Sequence, residues 1–114
     1  MNNIQKGRLG ELLASDYLKS IGACIIENNY KIKSGEIDII AKLNEEILFV
    51  EVKSRNNVNF GYPAEAVNYK KKLKIINVAK YYILKNNLDK MKIRFDVIEV
   101  YLKNNKINHI ENAF

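Results

Sequence analysis

Between residues 4 and 21, apolar side chains recur at the spacing of a helix face. At about 100° per residue, Leu9, Leu12, Leu13, Tyr17, Leu18 and Ile21 cover one broad side, and Gly22 is a suitable stop. Gly7 and Gly10 fall within that side, where each costs about 1 kcal/mol relative to alanine. Close approach of the helix to a sheet would account for both. Glu11 projects at the border of the apolar side, within reach of the edge of a core.

The period then shortens to two, the signature of strands. Residues 24–31, 36–43 and 46–53 read as three strands, and the polar segment 54–62 reads as a loop. Asn68 is a good N-cap for a second helix running to about Asn86. Ile93–Tyr101 is another strand, broken in pattern by Asp96 and Glu99, and Lys106–Ile110 a short final one. The order α-β-β-β-α-β-(β) predicts an α/β architecture with a mixed four- to five-stranded sheet flanked by helices. A chain of 114 residues suits one domain, residues 1–114.

The second and third strands carry the chemistry. If Asn44-Glu45 is a turn, Leu43 faces Glu46, Asp38 faces Glu51 and Glu36 faces Lys53. These acids and Lys53 then share one face, while Ile37, Ile39, Leu48, Val50 and Val52 take the other. Carboxylates directly across a ladder repel one another, and partial burial raises the cost. A hard cation between them relieves it, since Mg²⁺ takes one or two carboxylates plus waters and phosphate. The plainer alternative is a Glu36–Lys53 ion pair on a solvated face. Ile40, Ile47 and Phe49 share that face, so it is not simply solvated.

Composition adds less. The formal net charge of +6 suggests a polyanionic partner, but sixteen of the nineteen basic residues are lysine, a bias an AT-rich genome produces unaided. Six lysines and no acid lie between Tyr69 and Leu88, and Lys70, Lys74 and Lys85 gather on one side with Tyr81. That side is either a phosphate-tracking stripe or a solvated face. Arg8, Lys33 and Arg55 flank the carboxylates in sequence and are better placed for phosphate contact. In the loop, Phe60 or Tyr62 is available to stack on a base or to anchor the segment. Gly61 and Pro63 define its exit turn, and Glu65 is a helix-capping residue or a further acid near a metal. Cys24 reads as a buried, reduced thiol, and His109 is assigned no role. No apolar stretch approaches a membrane span and the N-terminus is too polar for a secretory signal, so a cytoplasmic protein is expected. No Gly-rich phosphate loop, Cys/His zinc pattern or nucleophile elbow is present.

The pattern Asp38 … Glu51-Val52-Lys53 resembles the PD-(D/E)XK nuclease motif, with Ile37 where the proline usually stands. Along the wider chain, GRLGELLASDYL, NNYKIKSGEIDIIA, LFVEVKSR, FGYPAEAV and RFDVIEV resemble the successive signatures of the YraN family of small bacterial proteins. That family is similar to archaeal Holliday-junction resolvases and other small nucleases. The resemblance implies a restriction-endonuclease-like three-layer fold. It implies a Mg²⁺ (or Mn²⁺) ion on Asp38, Glu51 and the Val52 backbone carbonyl, with Lys53 as catalytic lysine and Glu11 as the helix acid. Glu36 belongs to the family's Gly-Glu-Ile-Asp signature, as a supporting residue or as the partner of Lys53. The implied activity is endonucleolytic hydrolysis of DNA, branched or structured. Related resolvases work as dimers, which makes a homodimer an expectation to test. The alternatives are a non-catalytic nucleic-acid-binding module acting with a partner, and an adaptor whose acidic cluster is a stabilised surface.

Overall fold

The first element is a helix because its first turn is capped twice. Asn2 Oδ1 accepts from Gln5 N at 2.8 Å and Gln5 Oε1 accepts from Asn2 N at 2.9 Å, a reciprocal capping box. A computed structural model describes residues 1–56 and 68–114. Within them lie α1 (Asn3–Ser20), β1 (Cys24–Ile32), β2 (Gly35–Leu43), β3 (Glu46–Arg55), α2 (Tyr69–Lys85), β4 (Lys92–Tyr101) and β5 (Lys106–Ile110). Phe60, Gly61, Tyr62, Pro63 and Glu65 lie outside the described residues. Asn68 caps α2 as expected, accepting from Lys71 N at 2.9 Å. Among the described residues every non-glycine residue with positive φ is an asparagine: Asn29, Asn44, Asn87, Asn105 and Asn112, the side chain that best tolerates that region after glycine.

The five strands form one sheet in the order β1-β2-β3-β4-β5. The β1/β2, β2/β3 and β4/β5 pairs are antiparallel, and β3/β4 is parallel with α2 between them in the chain. This is the mixed five-stranded α/β order expected. One core packs Ile75, Val78, Ala79 and Tyr82 of α2 on Ile37, Ile40, Ile47, Phe49 and Val97. The other packs Ala14 and Leu18 of α1 on Ile39, Ala41, Leu48, Val50, Ile98 and Val100. Helix, sheet and helix make three layers, and β3, buried on both faces, is the middle of the structure. Among the described residues no helix is long and apolar enough to cross a membrane.

Several local expectations change. Helix α1 buries the narrow line Gly10, Ala14, Leu18, leaving Leu12 58% exposed. Small residues bring the helix axis close to the sheet, and Leu12 lies on nearly the opposite side of the wheel. Ile21 is the C-cap and is exposed too. Ser54 and Arg55 are strand rather than loop, because β4 pairs with them through Val100 and Tyr101. Cys24 is exposed: it opens an edge strand on which Ile25 takes the inward position. Ile37 packs with Ile40 on the α2 side, against strict alternation. Asn29 has φ of 53° between the paired positions Asn28 and Tyr30, and the register of this strand pair shifts between Ile25 and Glu27.

The two helix glycines separate cleanly. A Cβ on Gly10 would run into the Ser54 side chain, with Ser54 Cβ at 3.2 Å, whereas a Cβ on Gly7 would meet nothing within 4 Å. Only Gly10 marks a close approach to the sheet. Gly10→Ala is therefore expected to lose about 1–3 kcal/mol through overpacking. Gly7→Ala is expected to gain up to about 1 kcal/mol of helix propensity. Urea denaturation of the two variants checks the opposite signs.

Candidate active site

The site arises where the sheet splits. β2 and β3 pair in the expected register from Leu43↔Glu46 to Ile39↔Val50, and the ladder stops there. Beyond that point β2 stays with β1, through Ile37↔Tyr30 and Glu36↔Lys31. β3 stays with β4 as far as Arg55↔Tyr101. The Asp38–Glu51 step is the first beyond the closed ladder, so the two acids lie at the mouth of a fork. In place of a ladder bond, Val52 N donates to Asp38 Oδ2 at 2.8 Å. N–H and C=O of one extended residue leave by the same edge, so the Val52 carbonyl also faces the opened side.

Glu51 is only 6% exposed. Its Oε1 lies 3.1 Å from Lys71 Nζ and 4.0 Å from Lys53 Nζ. Burial, followed by the charge of Glu51 and a hydrogen bond with it, pushes Asp38 up to about 8. Burial is the largest cause, and the neighbouring carboxylate adds to it. Burial and the adjacent Lys71 hold the Lys53 ammonium below its ordinary value, with Glu51 opposing. Burial also works against charge on Lys71, but its hydrogen bond with Lys53 and the Glu51 carboxylate outweigh it and raise Lys71. The two lysines are thus shifted in opposite directions, Lys71 up and Lys53 down.

A cleft of about 210 Å³ opens on the α2 side, lined by Glu36, Asp38, Glu51, Lys71 and Lys74. A second of about 270 Å³ opens beside α1, lined by Lys6, Gly7, Glu11, Val52, Lys53 and Ser54. Burial raises Glu11; the charges of Glu36 and Glu51 add to this, while a hydrogen bond with Asn29 opposes it. The fork thus brings Glu11, Asp38, Glu51 and Lys53 into one neighbourhood from α1, β2 and β3.

The remaining candidates divide. Glu36 is exposed, and Lys53 forms its ion pair with Glu51 rather than with Glu36. Lys74 lines the carboxylate cleft, and Lys70 is exposed beside it on α2. Arg8 is exposed on α1, one residue from Gly7. Lys33 lines a different cavity, with Ile32, Ser34 and Tyr81. Arg55 is tied to the buried Glu99, Nη2 to Oε2 at 3.3 Å. The sequence reading passed over Lys71 and Asn29. A run of lysines in the first turn of α2, where cations oppose the helix dipole, was the available signal for Lys71. His109 has a clear place: Nδ1 lies 2.9 Å from Tyr17 Oη, and Nε2 lies 2.7 Å from Asp96 Oδ2.

Among the described residues no group of three or more His, Cys, Asp or Glu side chains is arranged to enclose a metal. The donor set is two carboxylates and a backbone carbonyl. That set fits Mg²⁺ or Mn²⁺, which retain waters and take phosphate as ligand, and does not fit a closed protein cage.

Residues 10–100 match the model of the uncharacterised protein family UPF0102. This chain belongs to that family, the YraN family. A UPF0102 protein of Clostridioides difficile strain 630 is 64% identical over 114 residues, covering 100% of both chains. One from Alkaliphilus oremlandii is 53% identical, covering 98% of this chain and 99% of the relative. One from Caldanaerobacter subterraneus subsp. tengcongensis is 47% identical, over 100% and 98%. Among solved structures, Pyrococcus furiosus SfsA in complex with Ca²⁺ aligns with 96% of this chain at 16% identity and a TM-score of 0.35. The chain spans 64% of that protein's length, and at that TM-score the likeness carries no argument.

Proposed function

We propose that this UPF0102 protein is a Mg²⁺- or Mn²⁺-dependent endonuclease acting on DNA. The observation that carries the reading is the fork: the Asp38 and Glu51 carboxyl groups side by side, with Lys53 beside them, at the mouth of an open cleft. When bound, the metal supplies Lewis acidity and lowers the pKa of a coordinated water. Asp38, Glu51 and the Val52 carbonyl would hold it. Lys53 is suited to orient the attacking water or to stabilise the charge developing on the phosphorane. Glu11 closes the opposite side of the site.

Substrate charge meets α2. Lys70, Lys74 and Lys85 are exposed, no acid stands on that helix, and Lys74 reaches the cleft. Phosphate tracking by these lysines is the contact proposed, with the exposed Arg8 of α1 as a further candidate. The same lysines favour one second reading, a module that binds nucleic acid without cutting it. A single cytoplasmic domain, and a dimer if the substrate is a two-fold symmetric junction, complete the proposal.

Purified protein incubated with Mg²⁺ or Mn²⁺ and duplex, single-stranded and four-way DNA tests this, beside Lys53→Ala and Asp38→Ala. Wild type is expected to cleave, Lys53→Ala to lose about 10²–10⁴-fold, and Asp38→Ala to be inactive. Equal cleavage by all three sinks the site. Binding without cleavage favours the second reading.

A further inference from the structure

Lys71 stands where a competing cation would stand. Its Nζ is 3.1 Å from Glu51 Oε1, nearer than Lys53 at 4.0 Å to the same oxygen, and it lines the cleft into which Asp38 and Glu51 project. Its backbone is fixed, because its N–H is the one bound by the Asn68 cap. Lys70, Lys71 and Lys72 all lie in the first turn of α2, which carries no acidic residue. Three cations at a helix N-terminus run against the dipole, so nothing in the helix itself favours Lys71 there. Glu51 supplies the compensation.

Resting on the nuclease reading above, we propose that Lys71 is a built-in counter-cation for Glu51, displaced by the divalent metal and then free to bind the substrate phosphate. Two cations cannot share one Glu51 oxygen at contact distance without repulsion. Metal entry therefore moves the Lys71 ammonium off Glu51. Its stem is rooted at the rim of the cleft, and the exposed Lys74 lines the same cleft. Metal occupancy and phosphate affinity are thereby linked: the ion that completes the centre releases the residue that holds the substrate. Without metal the site is internally neutralised and presents a weaker anion-binding surface.

The test separates metal affinity from turnover. Mn²⁺ is titrated calorimetrically into wild type, Lys71→Met, Lys71→Arg and Lys80→Met. Lys80 is exposed further along α2, so its variant makes the same change in net charge away from the cleft. Lys71→Met is expected to bind Mn²⁺ about tenfold more tightly, the effect of removing one neighbouring charge in a partly hydrated site. Lys71→Arg and Lys80→Met are expected to stay within about twofold of wild type. At saturating Mn²⁺, DNA cleavage by Lys71→Met is expected to fall about a hundredfold. Tighter metal with weaker cleavage is a pair of opposite signs that loss of packing does not produce. Equal Mn²⁺ affinity in wild type and Lys71→Met overturns this inference alone. No Mn²⁺ binding by either overturns it together with the metal centre. Tighter binding by Lys71→Met with no cleavage by any variant supports the counter-cation and sinks the nuclease reading.

Discussion

Replacing Asp38 with asparagine is expected to make the metal-free protein more stable at pH 8 while removing its metal affinity and cleavage. The Asp38 carboxyl sits at about 8 in the fold because burial and Glu51 oppose its ionisation, against roughly 3.9 in an unfolded chain. The folded state therefore binds the extra proton between about pH 4 and pH 8, and stability falls as pH rises through that window. Below about pH 4 both states are protonated and Asp38 costs nothing through this route. By pH 8 the accumulated cost is on the order of several kcal/mol. Asparagine keeps an oxygen for the Val52 N–H, which donates to Asp38 at 2.8 Å, and never ionises. Thermal melts from pH 4 to pH 9 should show a slope in wild type that is largely lost in Asp38→Asn. Mg²⁺ should restore wild-type stability at the alkaline end and leave the variant unchanged. Calorimetry at pH 7 in buffers of different ionisation heat should show a proton released on metal binding by wild type. A flat wild-type profile, or no proton release, would overturn the assignment.

That balance explains what was legible in the sequence. Period-two alternation and one turn were enough to align Asp38 with Glu51, because register in a hairpin is a local property. The same counting could not see that the ladder ends at Ile39↔Val50. The fork depends on β4 holding β3 from the other side, a contact made through a parallel crossover. Lys71 was hidden for a related reason. Its position on the helix was readable, but its meeting with Glu51 depends on where α2 lies over β3. Cys24 shows the reverse: a run of apolar letters suggests burial, whereas an edge strand buries only its alternate positions. In α1 the large apolar residues drew attention, yet Gly10 and Ala14 set how closely the helix approaches the sheet.

Asp96 looks like Asp38 in the sequence, an acid in the middle of an apolar strand, and its replacement is expected to do the opposite. Asp96 is fully buried, yet it accepts from Arg94 Nη2 at 2.7 Å and Asn112 N at 3.1 Å, and lies 2.7 Å from His109 Nε2. Burial pushes its carboxyl up, but the hydrogen bonds from His109, Arg94 and Asn112 outweigh it and hold the group below its ordinary value. Its stabilisation is present above about pH 4, where an unfolded aspartate is ionised, and is lost as pH falls through the lower folded value. Asp96→Ala leaves Arg94 and His109, both little exposed, without their central acceptor, and is expected to cost about 3–5 kcal/mol. The loss reaches α1, because Tyr17 Oη meets the other nitrogen of His109. Urea denaturation at pH 7 should show the full loss and at pH 3 a smaller one. A variant within about 1 kcal/mol of wild type at pH 7 would show that the network contributes no more than an exposed ion pair. Mid-strand position therefore does not separate a site acid from a structural one; the number of donors around it does. Among the described residues Asp96 has an arginine, a histidine and a backbone N–H, whereas Asp38 has one backbone N–H and a second carboxyl, the deficit that the proposed metal ion would make up.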